Sequence, residues 1–253
     1  MTKFFIEAGI NHFGKTKEAN IILDNFLSSK FDNLTFMLKS DKFYADQLKL
    51  GKNFRLDKSF YELALKKCQR KNKKLGLAIG LAEKLGNLDE IKFDFYKLLS
   101  VGINNKKLIK VLKKKNKTIY ISTGFNASKL KIKKCLNLFK SKKTQLLHTP
   151  MSYYPNQLNF SKINELRKTF KIPVGYSNHH NNLNCLNALS AYKPETIFIY
   201  CKPSYKKGQK YPDDEHSFSF KELQNSKNDY EKSSLMHSGI KIKKVKIFSN
   251  YKN

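Results

Sequence analysis

The chain has 253 residues, a length that favours one domain of about 250 residues over two smaller ones. Its formal net charge of +30 is large, but the lysines are spread along the whole chain and arginine is scarce. Nucleic-acid-binding proteins concentrate their charge, so we expect no nucleic-acid partner and keep that class as the weakest alternative. A diffuse positive field favours anionic substrates.

The spacing of the cysteines and the N-terminal sequence indicate in which cellular compartment the protein is located. The four cysteines are far apart and form no Cys-x-x-Cys pair, which argues against a disulfide framework and a structural zinc site. The N-terminal segment reaches a charged residue too early for a signal peptide, and no apolar run approaches the roughly 20 residues that cross a bilayer. We therefore expect a cytoplasmic protein without a membrane partner.

Short β-rich runs alternate with helical patterns along the chain. The eight predicted strands are residues 4–8, 34–38, 75–79, 93–99, 118–122, 145–148, 172–176 and 196–201. Predicted helices cover residues 15–29, 58–69, 106–114, 128–141, 161–170 and 183–192, and two long irregular stretches cover 40–57 and 202–217. Repeated strand–helix units predict parallel strands, and eight of them favour a closed (β/α)₈ barrel of the aldolase type over a doubly wound open sheet.

Polar and ionisable residues occur where these strands end. Glu7 ends the first strand, Lys97 lies in the fourth, Ser122 ends the fifth, and Ser177 and His179 follow the seventh. Barrel strands direct alternate residues inward, and barrel enzymes keep their chemistry at the carboxyl ends of the strands. These side chains are therefore expected to converge on one mouth of the barrel.

Several motifs resemble the sialic acid synthase (N-acetylneuraminate synthase) family. Residues 5–14 (FIEAGINHFG) resemble its opening AEIGINHNG, and residues 172–179 (IPVGYSNH) resemble VPVGYSDH. Weaker matches occur at residues 96–105, at 121–124 and at 146–155. The matches follow the family's order from residue 4 to about 223, with 224–253 as a tail, so we predict a single domain over 1–253.

The family resemblance implies roles for individual residues. Family members bind phosphoenolpyruvate and a divalent metal, Mn²⁺ or Mg²⁺, and add the enol carbon to an N-acetylated sugar aldehyde. By position, Glu7 and Lys97 are the catalytic candidates, with Lys97 also among the groups that hold phosphoenolpyruvate. The other substrate-binding candidates are Ser100, Ser122, Tyr154, Ser177, Glu215 and Lys39. Lysine and hydroxyl groups suit a phosphate ligand.

The chain also departs from the family pattern. The family's strand-four Glu falls on Gly102, its strand-seven Asp falls on Asn178, and its strand-two Lys falls on Met37, for which Lys39 can substitute. His179 retains one metal-binding imidazole, but the strand-eight His aligns with Cys201. We therefore expect His179 and Cys201 to bind the metal weakly, although a free cysteine is more commonly a small buried apolar residue.

These observations predict a phosphoenolpyruvate-dependent, carbon–carbon bond-forming synthase that makes a nonulosonic (sialic-type) acid for carbohydrate biosynthesis. The expected partners are phosphoenolpyruvate and an N-acetyl amino sugar, and the resemblance allows a homodimer. The antifreeze-like C-terminal domain of many members is expected to be absent. A catalytically degenerate barrel that binds a sugar or a phosphate, or acts in regulation, is the alternative, because several family site residues are replaced.

Overall fold

The computed structural model describes residues 2–82, 85–124, 127–140, 143–204 and 208–237. Eight parallel strands follow one another in sequence order, and each is hydrogen-bonded to the next. The first strand also pairs with the eighth over five residues, from Lys3 with Thr196 to Glu7 with Tyr200. This pairing closes the sheet, so the predicted (β/α)₈ barrel is confirmed and the open sheet is excluded.

The strands and helices alternate around the barrel. The strands are β1 (Lys3–Glu7), β2 (Asn33–Leu38), β3 (Lys74–Ile79), β4 (Phe95–Leu98), β5 (Thr118–Ser122), β6 (Thr144–His148), β7 (Val174–Ser177), β8 (Thr196–Cys201) and the short β9 (Ser217–Phe218). The helices are α1 (Thr16–Ser28), α2 (Asp41–Lys49), α3 (Lys58–Arg70), α4 (Lys106–Lys114), α5 (Lys129–Phe139), α6 (Ser161–Phe170), α7 (Cys185–Leu189) and α8 (Phe220–Met236).

Two helices were missed by the sequence pattern. Helix α2 lies in the stretch predicted to be irregular, and the Ser40 hydroxyl caps it by accepting a hydrogen bond from the Phe43 amide at 3.1 Å. Helix α8 begins with a capping box, in which Ser219 and Glu222 exchange hydrogen bonds. The expected boundary of the tail at residue 224 falls inside α8.

The third crossover differs from the expected strand–helix unit. Between β3 and β4 the described residues contain a single 3₁₀ turn, Gly86–Leu88, and no α-helix. This connection therefore covers its part of the sheet with a loop. Within the described ranges, no helix combines the length and the apolar character needed to cross a bilayer.

The interior of the barrel is filled by an aromatic layer. Phe5, Phe95, Tyr120, Leu147 and Phe198 come from five strands and form a separate buried cluster. The Phe5 and Phe198 rings stack with centroids 4.3 Å apart. A larger cluster, which joins the outer faces of the strands to the helices, forms the second part of the core. All four cysteines are free thiols.

Candidate active site

The candidate active site lies directly above the aromatic layer, at the carboxyl ends of the strands. Glu7 follows Phe5 by two residues in β1, and Lys97 follows Phe95 by two residues in β4. Successive side chains of a strand alternate between its two faces, so Glu7 and Lys97 enter the barrel on the same side as the rings. The strand geometry thus places a polar layer over an apolar one.

A buried ion pair occupies the centre of this polar layer. The Lys97 ammonium donates hydrogen bonds to both carboxylate oxygens of Glu7, with Nζ–Oε distances of 2.7 and 2.6 Å, and to the Ser177 hydroxyl at 2.9 Å. Both side chains of the pair are 1% exposed. The Lys97 ammonium also lies 4.9 Å from the centroid of the Phe198 ring. All three donor positions of the lysine are therefore occupied by Glu7 and Ser177.

Burial controls the charge state of this pair. Loss of water raises the pKa of Glu7 and lowers the pKa of Lys97, while their mutual attraction and hydrogen bonds oppose both shifts. Asp213 adds negative charge near Glu7 and raises its pKa further. Because Glu7 already holds the ammonium group, an anionic ligand that binds Lys97 must compete with this carboxylate.

Two further polar atoms in the mouth have no protein partner. Within the described part of the chain, the Ser122 hydroxyl and the His179 Nδ1 atom are buried and make no hydrogen bond. Buried polar groups are nearly always paired, and unpaired ones in native structures point to a ligand or to water. Ser100 is different, because its hydroxyl accepts a hydrogen bond from the Gly124 amide at 2.8 Å. Ser122 and His179 are therefore two polar groups that are free to contact a ligand in the mouth.

Tyr200 and His216 also line the mouth, and neither position was predicted from the sequence. Tyr200 follows Phe198 by two residues, so it points inward. Its ring centroid lies 5.5 Å from that of His179 and 4.8 Å from that of His216. The Gly9 backbone lies so close to the Tyr200 ring and the Asp213 carboxylate that a Cβ atom at this position would collide with both. The backbone φ of +54° at Gly9 also favours glycine.

Cys201 lies on the opposite face of β8 from Tyr200, which corrects the sequence alignment. Its side chain is buried and, like those of Ile197 and Ile199 at two-residue spacing, points away from the barrel interior. Burial also raises the pKa of the Cys201 thiol. Tyr200, and not Cys201, is therefore the residue at this end of β8 that points into the barrel. Cys201 takes the role of a small buried apolar residue, which was the alternative role considered for it.

Three other predicted substrate-binding residues lie at the rim. Tyr154 is 68% exposed, whereas the hydroxyl of its neighbour Tyr153 lies 3.4 Å from His216 Nδ1. Burial, together with the neighbouring exposed Glu215, raises the pKa of Tyr153 to about 12. The Lys39 ammonium lies 5.3 Å from the ring centroid of Phe43, on α2. Tyr153 rather than Tyr154 therefore contacts His216, and neither Lys39 nor Glu215 contacts Lys97.

A cavity opens at the rim beside the buried layer. It has a volume of about 390 Å³, and its lining includes Tyr153, Lys210, Asp213, Glu215 and His216. Both acidic and basic side chains therefore border this cavity, which also exposes His216.

The pair of metal ligands expected from the sequence does not fit a metal ion. His179 faces the mouth, but Cys201 faces the helix layer on the other side of the sheet. Among the described residues, no group of three or more His, Cys, Asp and Glu side chains could hold a metal ion. His179 and Cys201 therefore cannot share one ion in this arrangement.

Comparisons with known proteins agree with the fold and the motifs. The model of the NeuB family matches residues 15–240. The chain is 28% identical over 211 residues to N,N'-diacetyllegionaminic acid synthase of Campylobacter jejuni, an alignment that covers 72% of this chain and 62% of that protein. The chain thus aligns with less than two thirds of the length of this curated relative.

Solved structures show the same fold. The N-acetylneuraminic acid synthetase of Leptospira borgpetersenii matches with a TM-score of 0.81 at 23% identity, covering 97% of this chain and 88% of that one. A truncated 3-deoxy-D-arabino-heptulosonate 7-phosphate synthase of Thermotoga maritima matches with a TM-score of 0.68 at 14% identity, covering 92% and 87%. The predicted resemblance to the sialic acid synthases is confirmed by the family model: the chain belongs to the NeuB family.

Proposed function

We propose that this protein condenses phosphoenolpyruvate with an N-acetylated sugar aldehyde to form a nonulosonic acid. The observation that carries the proposal is the buried polar layer of a NeuB-family barrel, in which Glu7, Lys97 and Ser177 are joined by hydrogen bonds. The relatives named above make N,N'-diacetyllegionaminic acid and N-acetylneuraminic acid, as their names state. Both are products of the proposed class.

The proposed reaction forms one carbon–carbon bond and breaks one carbon–oxygen bond. C3 of phosphoenolpyruvate attacks the aldehyde carbon, and the aldehyde oxygen takes up a proton. Water then adds to C2, the C2–O bond to phosphate breaks, and loss of a proton leaves the 2-keto acid and inorganic phosphate. All atoms are accounted for by the two substrates and one water molecule.

The buried groups have distinct roles in this proposal. Lys97 binds the anionic phosphoenolpyruvate through its ammonium group, because charge-assisted hydrogen bonds are the stronger ones. The Ser177 and Ser122 hydroxyls donate hydrogen bonds to the same ligand, and Ser100 supports the loop beside it. Glu7, released from Lys97 when the anion binds, orients the hydroxyl groups of the sugar. Tyr153 takes the place expected for Tyr154 at the sugar side of the mouth.

Three further expectations concern a bound divalent metal ion, the oligomeric state and the cellular location of the protein. A weakly bound divalent ion, Mn²⁺ or Mg²⁺, would supply Lewis-acid polarisation of the aldehyde oxygen when present. His179 and Cys201 do not converge on such an ion, because they face opposite sides of the sheet. A homodimer and a cytoplasmic location remain predictions of the sequence.

A catalytically degenerate binding protein is the second candidate. It is favoured by the complete occupation of the Lys97 ammonium by Glu7 and Ser177. It is favoured also by the buried Tyr200 ring, because this inward position of β8 holds a phenol and not an imidazole. Such a barrel would bind phosphoenolpyruvate or a sugar without joining them.

Mass spectrometry of the reaction products separates the two candidates. The purified protein is incubated with phosphoenolpyruvate and N-acetylmannosamine, and both the nine-carbon keto acid and released phosphate are measured. Equal amounts of both, absent with the Lys97→Met variant, support the synthase. Binding of phosphoenolpyruvate without any product supports the degenerate barrel, and the absence of both contradicts the proposal.

A further inference from the structure

The acidic residues are distributed unevenly along the chain, although lysines occur throughout it. Residues 95–164 contain 16 lysines, no arginine and no aspartate or glutamate. By contrast, residues 16–71 carry seven acidic residues. More than half of the formal net charge of +30 therefore lies in little more than a quarter of the chain.

Two neighbouring helices of this stretch present their lysines on the outside of the barrel. Helices α4 and α5 contact each other, and the Lys113 ammonium of α4 donates to the Leu138 carbonyl of α5 at 3.1 Å. Their apolar residues, such as Leu108 and Ile132, are buried, whereas every lysine of the two helices, nine in all, is exposed. We call these nine exposed side chains the lysine face.

Ion pairs occur at the edges of the lysine face and not at its centre. At one edge Lys129 pairs with Glu165 of α6 at 2.9 Å, and at the other Lys115, which follows α4, pairs with Asp89 at 2.8 Å. Four lysines between them have no acidic partner among the described residues: Lys110, Lys114, Lys133 and Lys134. The centre of the face therefore keeps a positive field that only counter-ions or an anionic partner can balance.

The chemistry of the lysine face favours phospholipid headgroups over nucleic acid. Arginine, which contacts phosphates and bases through two parallel N–H groups, is absent from residues 95–164. The two aromatic side chains among the described residues of 106–143, Tyr120 and Phe139, are buried, so neither ring can stack on a base. The helices also form the outer side of a closed barrel, which is a broad surface and not a groove that follows a strand of nucleic acid.

Leu130 adds an apolar side chain to this basic surface. It is 60% exposed in the first turn of α5, between Lys129 and Lys131. An apolar side chain among lysines suits a bilayer interface, where it enters the boundary between headgroups and acyl chains while the lysines contact the headgroups.

We propose that the lysine face binds peripherally to the surface of a bilayer that contains anionic phospholipids. The helices of a (β/α)₈ barrel form its outer ring, so this contact lies on the side of the barrel and leaves the mouth accessible. The contact needs no spanning helix, and it revises the expectation of no membrane partner, which rested on segments that cross a bilayer. It does not depend on the proposed function.

Co-sedimentation of the parent protein with lipid vesicles gives a test that needs no variant. We expect binding to vesicles of phosphatidylcholine and phosphatidylglycerol but not to vesicles of phosphatidylcholine alone. The binding should weaken as salt is raised, because salt screens exposed charges. Equal binding to both kinds of vesicle, or binding to neither, overturns the proposal. Retention on duplex DNA at the same salt concentration without vesicle binding also overturns it, in favour of a nucleic-acid partner.

Two matched charge-reversal variants separate the lysine face from the overall charge. The first variant changes the centre of the face: Lys110→Glu, Lys114→Glu, Lys133→Glu and Lys134→Glu. The control changes four exposed lysines on or beside α1 and α3: Lys17→Glu, Lys30→Glu, Lys66→Glu and Lys71→Glu. Four reversals of two charges each lower the formal net charge from +30 to +22 in both proteins.

The two variants should differ strongly in vesicle binding. Each lysine near an anionic surface contributes about fivefold to binding, so we expect the variant of the face to bind at least about 100-fold more weakly than the parent. The control should lose less than about tenfold, because charges away from the contact are screened. Equal losses in the two variants, with folding of each verified by circular dichroism, overturn the proposal. Vesicle binding requires neither phosphoenolpyruvate nor turnover, so its failure leaves the proposed function standing.

Discussion

The barrel interior consists of two layers, built by the same strands, that differ in what holds them together. Phe5, Phe95 and Tyr120 belong to the aromatic layer, and Glu7, Lys97 and Ser122 follow them by two residues. The aromatic layer is joined by ring contacts between 4.3 and 5.7 Å. The polar layer is joined by one ion pair and leaves the Ser122 hydroxyl unpaired.

This difference separates stability from function within one barrel. A fully buried aromatic side chain stabilises the fold by about 1.5–3 kcal/mol through burial alone. A buried ion pair contributes little, because the loss of water offsets the attraction between its charges. The polar layer therefore has no evident advantage for folding over apolar side chains of similar size. We infer that it is retained for ligand binding.

Truncation in the aromatic layer should give the largest loss of stability. Phe5 contacts the rings of Phe95, Tyr120 and Phe198, so Phe5→Ala leaves a cavity that its neighbours cannot fill. We expect the free energy of unfolding to fall by about 3–5 kcal/mol in urea denaturation. Met236→Ala, at a side chain that is 81% exposed on α8, is the control and should change it by less than about 0.5 kcal/mol. Similar values for the two variants would contradict a packed aromatic layer.

His12 should make stability depend on pH. Burial lowers the pKa of His12 from 6.5 to about 4, and its Nδ1 accepts a hydrogen bond from the Gly14 amide at 2.9 Å. The unfolded chain binds a proton near pH 6.5, but the folded chain does not until about pH 4. The free energy of unfolding therefore decreases as the pH is lowered from 6.5 to 4, by on the order of 3 kcal/mol in total.

The variant His12→Asn isolates this contribution, because the Asn side-chain oxygen can still accept from the Gly14 amide. Urea denaturation is measured at intervals from pH 7 to pH 4 for both proteins. The parent should lose more stability than the variant over this range. Parallel curves for the two proteins would show that His12 does not titrate as its burial indicates.

Ser122 should give the smallest effect on stability, and one of opposite sign. Its buried hydroxyl has no partner, so Ser122→Ala should raise the free energy of unfolding by up to about 1 kcal/mol while lowering phosphoenolpyruvate affinity about 5–10-fold. Ser190→Ala is the control, because the Ser190 hydroxyl donates to the Asn187 carbonyl at 2.6 Å, away from the mouth. It should lower stability by about 1 kcal/mol and leave affinity unchanged. Lower stability for Ser122→Ala would mean that its hydroxyl is paired.

The fold and much of the polar layer could be predicted because strand ends carry a clear signal. Glu7, Lys97, Ser122 and Ser177 are polar residues in otherwise apolar strands, so the alternation of side chains assigns them to the interior. Strand β8 lacks this signal, since its sequence TIFIYC carries no charged residue and no serine at any position from Thr196 to Cys201. A strand that is apolar on both faces does not reveal which residues point inward. For this reason, the motif comparison assigned the inward-facing position of β8 to Cys201 instead of Tyr200.

His216 and the two missed helices could not be predicted for other reasons. His216 reaches the mouth through a long loop, so its position depends on tertiary contacts rather than on a strand register. Helices α2 and α8 are largely polar, which weakens the apolar periodicity that marks a helix. The spacing of Ser219 and Glu222 was the available signal for α8, because a capping box marks a helix start.

Calorimetric titration with phosphoenolpyruvate tests the central claim, that the polar layer binds this anion through Lys97. The comparison is between Lys97→Met and Lys73→Met, with folding of each verified by circular dichroism. Lys73 is the matched control, because its ammonium group donates to the carbonyls of Phe26, Ser29 and Phe31 beside the start of β3, at the opposite end of the barrel. We expect Lys97→Met to weaken binding by about 10–100-fold and Lys73→Met to bind like the parent. Equal affinity of the parent and Lys97→Met, or no binding to the parent, would contradict the account.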